Sequence, residues 1–375
     1  MTTNFDMIGR DEINDLEAIL SISNSDVDEI VHTVKAESEA LFTWDYSRSR
    51  PALIKLYEKA KTSQWNAETD LDWSIEVDQA AVSLANMQQQ ASGEDVFGAN
   101  VELKGTVFET WSEDQWIELG MEMQNWSLSQ FMHGEQGALI CTAQIVETVP
   151  WIDAKYYAAT QVMDEARHVE VFARYLDTKL SGHYPVNAHL KMLLDDIIMD
   201  SRWDMTYLGM QIMVEGLALA AFGFMHQMTT EPLLKKLLRY VMSDEARHVA
   251  FGVLSLQEFY KELNSAEIRE RQEFAFEAAV RMRDRFLQQE VWERMGVDVK
   301  EALTLVLQDD GRKQFQNILF SKIVPNCKKL GLLDAGDGWL RDRFTDLGVI
   351  QFEDWADTET EYADLDEVAR DRDVA

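Results

Sequence analysis

Cysteine and proline are both scarce in this sequence. Only two cysteines, Cys141 and Cys327, occur in 375 residues, and neither belongs to a Cys-x-x-Cys pair. This scarcity excludes a disulfide framework and a thiolate metal site, and it makes the reducing cytoplasm the expected location. Only five prolines interrupt the chain, whereas Met, Leu, Ala, Glu and Gln are frequent. Few helix breakers and many helix formers predict an all-α protein.

Positive charge is scarce as well. The chain has 35 Lys and Arg residues against 67 Asp and Glu residues, which gives a formal net charge of −32. Nucleic acids and anionic membrane surfaces bind stripes of Lys and Arg, so neither is an expected partner. The most apolar segment, residues 212–225, contains Glu215 and is too short to span a bilayer. The acidic excess predicts a solvated surface that keeps the protein in solution.

Hydrophobic spacing, capping residues and breakers divide the chain into helices. Ser112 and Gln115 form a capping-box signature that begins one long helix, and Pro150 ends it. Pro232 and Asn264 begin two later helices. The predicted long helices cover residues 112–148, 151–180, 203–228, 232–263 and 264–295. Shorter helices are predicted at residues 25–39, 51–62, 78–90 and 188–200.

The domain organisation follows from this pattern. Residues 1–333 are predicted to form a single helical domain, in which residues 113–263 form the central bundle. Residues 334–375 are predicted to be an acidic C-terminal extension that is partly disordered, because acidic residues dominate its end and apolar ones are scattered.

A five-residue word, Asp-Glu-Ala-Arg-His, occurs twice, at residues 164–168 and 244–248. This recurrence indicates an internal duplication. In each copy Glu and His are three residues apart, about one helical turn, so both side chains leave the same helix face. The spacing suits a carboxylate and an imidazole that bind one metal ion. A single Glu-x-x-His is more often part of a solvated face, and it is the duplication that favours metal ligands.

One further glutamate precedes each copy by 30 residues: Glu135 precedes Glu165, and Glu215 precedes Glu245. Glu135 and Glu215 lie among apolar residues, where an unpaired carboxylate is costly. A turn signal lies midway between the two glutamates of each half, and each helix rises about 22 Å to that turn. Two such hairpins bring four carboxylates and two imidazoles to the centre of a four-helix bundle. A purely structural polar core is the alternative.

This pattern resembles the ferritin-like di-iron carboxylate proteins, which include bacterial monooxygenase hydroxylases, arylamine N-oxygenases, acyl-carrier-protein desaturases and the small subunit of ribonucleotide reductase. The resemblance covers residues 113–263 and implies a ferritin-like four-helix bundle with additional packing helices. It implies two Fe ions, or an Fe/Mn pair, with O2 as co-substrate, and oxygen and imidazole ligands suit these metals. The implied metal ligands are Glu135, Glu165 and His168, mainly on one ion, and Glu215, Glu245 and His248, mainly on the other.

The same resemblance assigns roles to the residues beside the ligands. Asp164 and Asp244 precede the motif glutamates. In this family the ligand histidine of one hairpin donates its second N–H to the aspartate of the other hairpin. Arg167 and Arg247 would balance the charge of these aspartates. The alternative is that all four residues belong to a solvent-facing polar helix surface.

Four positions depart from the subfamilies. Phe172 stands where the reductase small subunit has its radical tyrosine. Leu219 and Ala218 stand where the hydroxylases and the desaturases have a threonine, and Val241 stands where the arylamine N-oxygenases have a seventh ligand, a histidine. No subfamily is therefore assigned.

The resemblance predicts a non-haem di-iron oxidoreductase, of oxygenase or monooxygenase type, that oxygenates, N-oxygenates or desaturates an apolar or aromatic organic substrate. Electrons are expected from an external ferredoxin or reductase, because no flavin or nicotinamide motif is visible, and a homodimer is expected. Iron oxidation and storage, or radical generation for a partner, are the alternatives. No cation other than Arg167 and Arg247 is expected near the ligands. Part of an apolar set should line the cavity: Phe131, Met132, Leu139, Phe172, Leu208, Ile212, Leu219, Phe222 and Phe251.

Overall fold

The computed structural model describes residues 8–24, 28, 30–90 and 101–356, and these residues form helices and loops without any strand. The all-α fold predicted from the sequence is confirmed. The α-helices are α1 (Leu16–Ser21), α2 (Pro51–Thr62), α3 (Gln79–Gln90), α4 (Glu113–Thr148), α5 (Ile152–Lys179), α6 (Ala188–Met199), α7 (Trp203–Tyr207), α8 (Glu215–Met228), α9 (Pro232–Phe259), α10 (Ser265–Arg285), α11 (Gln289–Arg294), α12 (Val299–Val306), α13 (Asp310–Ile318), α14 (Ile323–Lys329) and α15 (Trp339–Asp346).

The centre of the fold is a ferritin-like four-helix bundle made of two hairpins. Helix α4 packs along α5, α8 packs along α9, and α5 contacts α9 across the two hairpins. Additional helices cover this bundle, as the sequence predicts: α2 packs on α5 and α9, α3 packs on α4, and α6 packs on α4 and α10.

Capping residues place the ends of the bundle helices. The Ser112 N–H donates to Gln115 Oε1 (3.0 Å), and the Gln115 N–H donates to Ser112 Oγ (3.4 Å), so the predicted capping box begins α4. At the start of α9 the Glu231 carboxylate accepts the N–H groups of Leu233 (2.7 Å) and Leu234 (2.6 Å). The Tyr175 hydroxyl also donates to Glu231 (2.8 Å) and joins the end of α5 to the start of α9.

The helix predicted over residues 203–228 contains an irregular centre. Leu208–Val214 is π-helical and lies between α7 and α8, directly before Glu215. Helix α9 approaches this wider segment closely, because a Cβ at Gly252 would lie 2.6 Å from the Cβ of Gln211. All seven π-helical residues are buried. Because the segment is buried on every side, its apolar residues show no one-sided spacing from which the π-helix could have been predicted.

The continuous helical stretch Trp203–Met228 is long and apolar enough to cross a membrane by length and composition alone. In this fold 72% of its most apolar window is buried inside the protein. That burial is typical of the core helix of a soluble protein, because the bundle itself covers the apolar faces.

Several predictions for the flanks are wrong. No helix covers residues 30–39, and residues 30–50 form an arm without regular structure, whereas residues 25–27 and 29 lie outside the described residues. This arm exposes Ile30, Phe42 and Trp44 by 96%, 78% and 79%. Because most of its large apolar side chains stay exposed, the predicted helical spacing does not stabilise a helix there.

The predicted end of the helix at residues 264–295 and the predicted start of the C-terminal extension also differ from the structure. Helix α10 ends at Arg285, ten residues before the predicted end, and a turn with Gln288 at φ +56° follows. The predicted C-terminal extension over residues 334–375 begins with folded structure instead, because α15 buries Leu340 and Phe344 in the core. Residues 357–375 lie outside the described residues.

Candidate metal centre

The six ligand candidates come from all four bundle helices. Helix α4 carries Glu135, α5 carries Glu165 and His168, α8 carries Glu215, and α9 carries Glu245 and His248. Each side chain is buried, with at most 5% of the residue exposed. Two separate hairpins thus bring all six residues into one buried region. Asp164, Asp244, Arg167 and Arg247 are at most 6% exposed, so the solvent-facing alternative is wrong for these four residues.

The six side chains form two overlapping groups. In one group, ligand atoms of Glu135, His168, Glu165 and Glu245 lie within 4.8 Å of one another. In the other, ligand atoms of Glu215, His248, Glu165 and Glu245 do so. Glu165 and Glu245 belong to both groups, which places them where bridging carboxylates would lie between two adjacent ions.

Both imidazole rings direct Nδ1 at the carboxylates. His168 Nδ1 lies 3.1 Å from Glu135 Oε2 and 3.0 Å from Glu245 Oε1. His248 Nδ1 lies 3.0 Å from Glu165 Oε1 and 3.5 Å from Glu245 Oε2. Nδ1 is therefore the nitrogen that would bind a metal in each ring.

The other ring nitrogens contact aspartates of the opposite hairpin. His168 Nε2 lies 3.2 Å from Asp244 Oδ2, and His248 Nε2 lies 3.3 Å from Asp164 Oδ2. This is the crossed arrangement that the resemblance implies. A carboxylate at Nε2 selects the tautomer with Nε2–H and leaves Nδ1 as a lone-pair donor.

The aspartates are held by buried cations. Arg167 donates to Asp164 (2.6 Å) and to Asp244 (2.9 Å), and Arg247 donates to Asp244. Two residues of the α2–α3 connection also belong to this network: Trp65 Nε1 donates to Asp244 (2.7 Å), and Gln64 Nε2 donates to Asp164 (3.0 Å). The sequence analysis gave neither residue a role, because no spacing links them to the repeat.

Gln161 is a further polar residue that the sequence analysis missed. Its amide nitrogen donates to Glu165 Oε1 (3.0 Å) and to Glu215 Oε1 (2.9 Å). It fixes the relative positions of two ligand candidates on different hairpins. Its place on α5, one turn before Glu165 on the same face, is the signal that could have found it.

Burial and the charges of neighbouring side chains shift the pKa values of the ligand candidates. Burial, together with neighbouring carboxylates, raises the pKa of Glu135 and of Glu215 well above the usual carboxyl value. Burial opposes ionisation of Glu165 too, but His248 and His168 outweigh it and lower the pKa of Glu165. The carboxylates likewise outweigh burial and raise the pKa of both histidines. Glu135, Glu215 and the two histidines therefore bind protons strongly, and a metal must displace these protons.

Unsatisfied polar atoms test whether a metal fits. Glu165 Oε2, Glu215 Oε2, both carboxylate oxygens of Glu245 and His248 Nδ1 are buried and make no well-directed hydrogen bond with a described residue, although Glu245 Oε1 and His248 Nδ1 each lie 3.0 Å from a group of opposite charge. Such atoms are costly, and four carboxylates at this separation repel one another. Two divalent cations would accept these lone pairs and balance the four charges. The residues present fit a two-metal centre.

A small cavity adjoins the carboxylates between α4 and α8. It has a volume of about 20 Å³, room for roughly one water molecule. Glu135, Glu215 and Glu245 form part of its wall, together with small residues such as Gly134 and Ala218. Phe131 is the member of the predicted apolar set that lines it. Arg285 also lines it, so the expectation that Arg167 and Arg247 are the only cations nearby is wrong.

Arg285 lies outside the part of the sequence that carries the duplicated motif. It belongs to α10, on a buried stripe with Ala275, Ala278 and Met282. The signal that could have found it is this helical spacing, which puts a cation on an apolar face.

A second cavity, of about 230 Å³, lies further along the groove between α4 and α8. Its wall contains four methionines, Met87, Met123, Met225 and Met228. On α4, Gly120, Met123 and Ser127 of this cavity continue the stripe of Gln130 and Gly134 in the small cavity. The two cavities therefore lie along one groove.

Comparisons with known proteins come from solved structures alone. No family model matches the sequence, and no curated protein matches it significantly. The chain is similar to a variant of an R2-like ligand-binding oxidase with an anaerobically reconstituted Mn/Fe cofactor, at 18% identity and a TM-score of 0.48, over 76% of this chain and 95% of that one. Another variant, aerobically reconstituted with Mn/Fe, gives 16% identity and a TM-score of 0.42, over 83% and 95% of the two chains. The likeness concerns the fold, and the metal centre rests on the side chains described above.

Proposed function

We propose that this chain is an oxidoreductase that binds two Fe ions, or an Fe/Mn pair, and uses O2 to oxidise an organic substrate. The observation that carries the proposal is the pair of ligand groups that share Glu165 and Glu245. A redox-active metal pair, when bound, supplies the electrons that reduce O2 and the oxidising power that acts on the substrate.

Some residues of the chain would hold the metal ions, and others keep the metal-binding residues in the required state. Glu135 and His168 would hold one ion, Glu215 and His248 would hold the other, and the shared glutamates would contact both. Asp164 and Asp244 keep a proton on Nε2 of each histidine, so that Nδ1 stays available to the metal. Arg167 lies within hydrogen-bond distance of both aspartates and balances their charge.

A cluster of aromatic rings excludes water on one side of the ligands. Phe131 and Phe222 meet edge to face with ring centroids 4.7 Å apart, and Phe172 stacks on Phe222 at 5.7 Å. Dry surroundings strengthen the electrostatic interactions of the centre and limit side reactions with water. Phe172 also supports substrate oxidation over radical generation, because it offers no phenol at the position of the radical tyrosine.

The groove between α4 and α8 supports an apolar substrate. Its larger cavity is walled by methionine, leucine and tryptophan side chains together with a few polar ones, such as Asn86 and Gln124, and methionine adapts readily to irregular apolar ligands. An aromatic ring or an acyl chain fits this chemistry. Reduction of the metals requires electrons, so an external donor such as a ferredoxin or a reductase belongs to the proposal.

The test is anaerobic loading of the protein with Fe²⁺, or with Fe²⁺ and Mn²⁺, followed by exposure to O2. Optical and Mössbauer spectra would be recorded with and without aromatic and acyl compounds. The proposal expects rapid O2 uptake coupled to metal oxidation, and spectra that change when a compound occupies the groove. Metal oxidation no faster than in the Glu245→Ala variant would contradict it.

A further inference from the structure

The layer of the six ligand candidates has two sides that differ in polarity. One side faces the Pro150 end of the bundle, where α4 and α9 end and α5 and α7 begin. On the opposite side, each of the four helical stretches has a buried apolar residue one or two turns from its ligand candidates: Phe131, Phe172, Phe222 and Val241. On the Pro150 side, each stretch has a buried polar residue two turns from its ligand candidates: Thr142, Tyr157, Tyr207 and Ser255.

A second short repeat accounts for much of this polarity. The spacing Tyr-x-x-x-Gln-x-x-x-Glu ends at Glu165 on α5, and it occurs again ending at Glu215, the first residue of α8. Its tyrosines and glutamines are Tyr157 and Gln161 in one copy and Tyr207 and Gln211 in the other. Residues four apart lie on one helix face, about one turn apart. A glutamine layer therefore lies between the ligand glutamates and a tyrosine layer, which is about 12 Å from the glutamates along α5.

The two copies of the repeat meet at α9. The rings of Tyr157 and Tyr207 lie 4.4 Å and 4.9 Å from the ring of Phe251, measured between centroids. Gln211 packs against the next residue of α9, because a Cβ at Gly252 would lie 2.6 Å from the Cβ of Gln211. Residues of both hairpins therefore surround one short segment of α9, directly beyond the ligand layer.

The polar column consists of the buried polar residues on this side of the ligand layer: Thr142, Tyr157, Gln161, Tyr207, Gln211 and Ser255. Several of its atoms make no well-directed hydrogen bond with a described residue: Thr142 Oγ1, Gln161 Oε1, Tyr207 OH, Ser255 Oγ, and both Oε1 and Nε2 of Gln211. Each of these five residues is 0% exposed. An unsatisfied buried polar atom is costly, and buried water molecules commonly bind groups of this kind. The column therefore offers several donors and acceptors to water.

The outer end of the polar column reaches the surface at an ion pair. Arg50 donates to Glu258 (2.7 Å) and lies over the ring of Trp151, 3.7 Å from its centroid. The Glu258 side chain is 69% exposed, and Ser255 lies one turn before it on α9. Burial raises the pKa of Tyr207, whereas the Ser255 hydroxyl and the Arg50 guanidinium act in the opposite direction, so both groups lie near the phenol. Polar groups thus extend from an exposed carboxylate to the ligand candidates.

The proposed reaction requires protons at a buried centre. Insertion of one oxygen atom forms ROH and H2O from RH, O2, two electrons and two protons, and the external donor of the proposed function supplies the electrons. Phe131, Phe172 and Phe222 line the opposite side of the ligand layer and offer protons no polar group. The polar column is the side on which hydroxyl groups and water can pass a proton from one hydrogen bond to the next.

We propose that the polar column binds a chain of buried water molecules that conducts protons from the surface at Glu258 to the ligand layer. Each water or hydroxyl accepts a proton on one side and releases another on the other side, so no group of the column changes its net charge. Gln211 and Gln161 are positioning residues, because their amides hold water in place. The water chain itself rests on the side chains alone, whereas its role in proton delivery rests on the proposed function.

Crystal structures of the full chain at high resolution test the water chain. Ordered water should lie within about 3.2 Å of the Gln211 amide and of the Tyr207 hydroxyl. Gln211→Met and Tyr207→Phe remove those polar atoms with little change in side-chain length, and each variant should lose the water bound there. A native structure without ordered water at Gln211 and Tyr207 would overturn the proposal.

Proton uptake tests the role of the chain. The reduced, metal-loaded protein is mixed with O2 in weak buffer, and a pH-indicator dye follows the protons in H2O and in D2O. Gln211→Met and Tyr207→Phe should slow proton uptake at least about 10-fold and enlarge the solvent isotope effect, while both variants still bind two metal ions. Metal content and Tm establish that each variant is folded and loaded.

Two buried residues outside the column provide matched controls. Tyr175→Phe removes a buried hydroxyl on the opposite side of the ligand layer, where Tyr175 donates to Glu231 (2.8 Å). Gln144→Met removes a buried amide of α4 that donates to the Ile198 carbonyl (3.2 Å). Both variants should take up protons at the native rate.

The outcomes separate the two claims. If ordered water occupies the column while the protein binds no iron and consumes no O2, the proposed function fails and the water chain stands. If O2 is consumed and neither column variant changes the rate of proton uptake or its isotope effect, the role in proton delivery is wrong. Equal slowing by the control variants would likewise contradict that role.

Discussion

Nε2 of His168, on α5, lies 3.2 Å from Oδ2 of Asp244, on α9. The contact crosses from one hairpin to the other, and the reciprocal contact of His248 with Asp164 does the same at 3.3 Å. Each half of the duplicated motif therefore orients the imidazole of the other half. The two halves form a single centre, and neither half is complete alone.

Asp244→Asn tests this crossed contact. The amide keeps the shape of the side chain but removes the charge that fixes the histidine tautomer, and a loss of about 10- to 100-fold in metal affinity is expected. Competition with a chelator of known affinity measures the loss. Asp177→Asn, which changes an exposed aspartate of α5, is the control. Unchanged affinity in Asp244→Asn would show that the contact has no role in binding metal.

Metal binding should release protons near pH 7. Neighbouring carboxylates raise the pKa of His168 and of His248 well above 6.5, so both rings hold a second proton in the metal-free protein at that pH. A metal at Nδ1 displaces that proton, and apparent metal affinity should fall as the pH falls. Calorimetric titration in buffers of different ionisation enthalpy counts the protons. Identical heats in all buffers would refute this prediction.

Arg285→Met should stabilise the protein. Arg285 is buried, and its Nε atom makes no well-directed hydrogen bond with a described residue. Replacing such a cation by an apolar side chain of similar length removes a desolvation penalty, and a gain of about 1–3 kcal/mol in the free energy of unfolding is expected. Arg271→Met, which breaks the buried pair with Asp204, should instead destabilise. Urea unfolding of both variants measures the difference. A large loss of stability in Arg285→Met would show that Arg285 has a structural role.

No long-lived tyrosyl radical should accumulate after the metal-loaded protein reacts with O2. Phe172 occupies the position of the radical tyrosine, and its ring packs against Phe131 and Phe222. Electron paramagnetic resonance of samples frozen at intervals after mixing gives the answer. A stable tyrosyl signal would favour radical generation over substrate oxidation.

Much of the fold could be predicted because the capping residues and the apolar spacing in the sequence agree with the helix ends and buried faces in the structure. Ser112, Pro232 and Asn264 begin helices where capping chemistry requires it, and the apolar spacing between them is long and regular. The π-helical segment before Glu215 was not predictable, because all seven of its residues are buried and leave no one-sided apolar pattern. The helix predicted for residues 25–39 is absent over residues 30–39, since helical spacing that does not bury its apolar side chains does not stabilise a helix.

The candidate site, like the fold, could be predicted only in part. The six ligand candidates are connected by spacing within helices and by the equal lengths of two hairpins, both of which are visible in the sequence. Trp65, Gln161 and Arg285 complete the site through tertiary contacts between distant segments. Such contacts leave little periodic signal, and only two weak signals exist: Gln161 lies one turn before Glu165, and Arg285 lies on a buried stripe of α10.

The number of metal ions bound per chain tests the central claim most directly. Anaerobic titration with Fe²⁺, with metal analysis after removal of the excess, should give two ions for the native chain. Glu245→Ala should lower the content at both positions, because Glu245 belongs to both ligand groups, whereas His168→Ala should affect mainly one. Glu170→Ala, at an exposed position of α5, is the control and should still bind two. An unchanged metal content in both Glu245→Ala and His168→Ala would contradict the account.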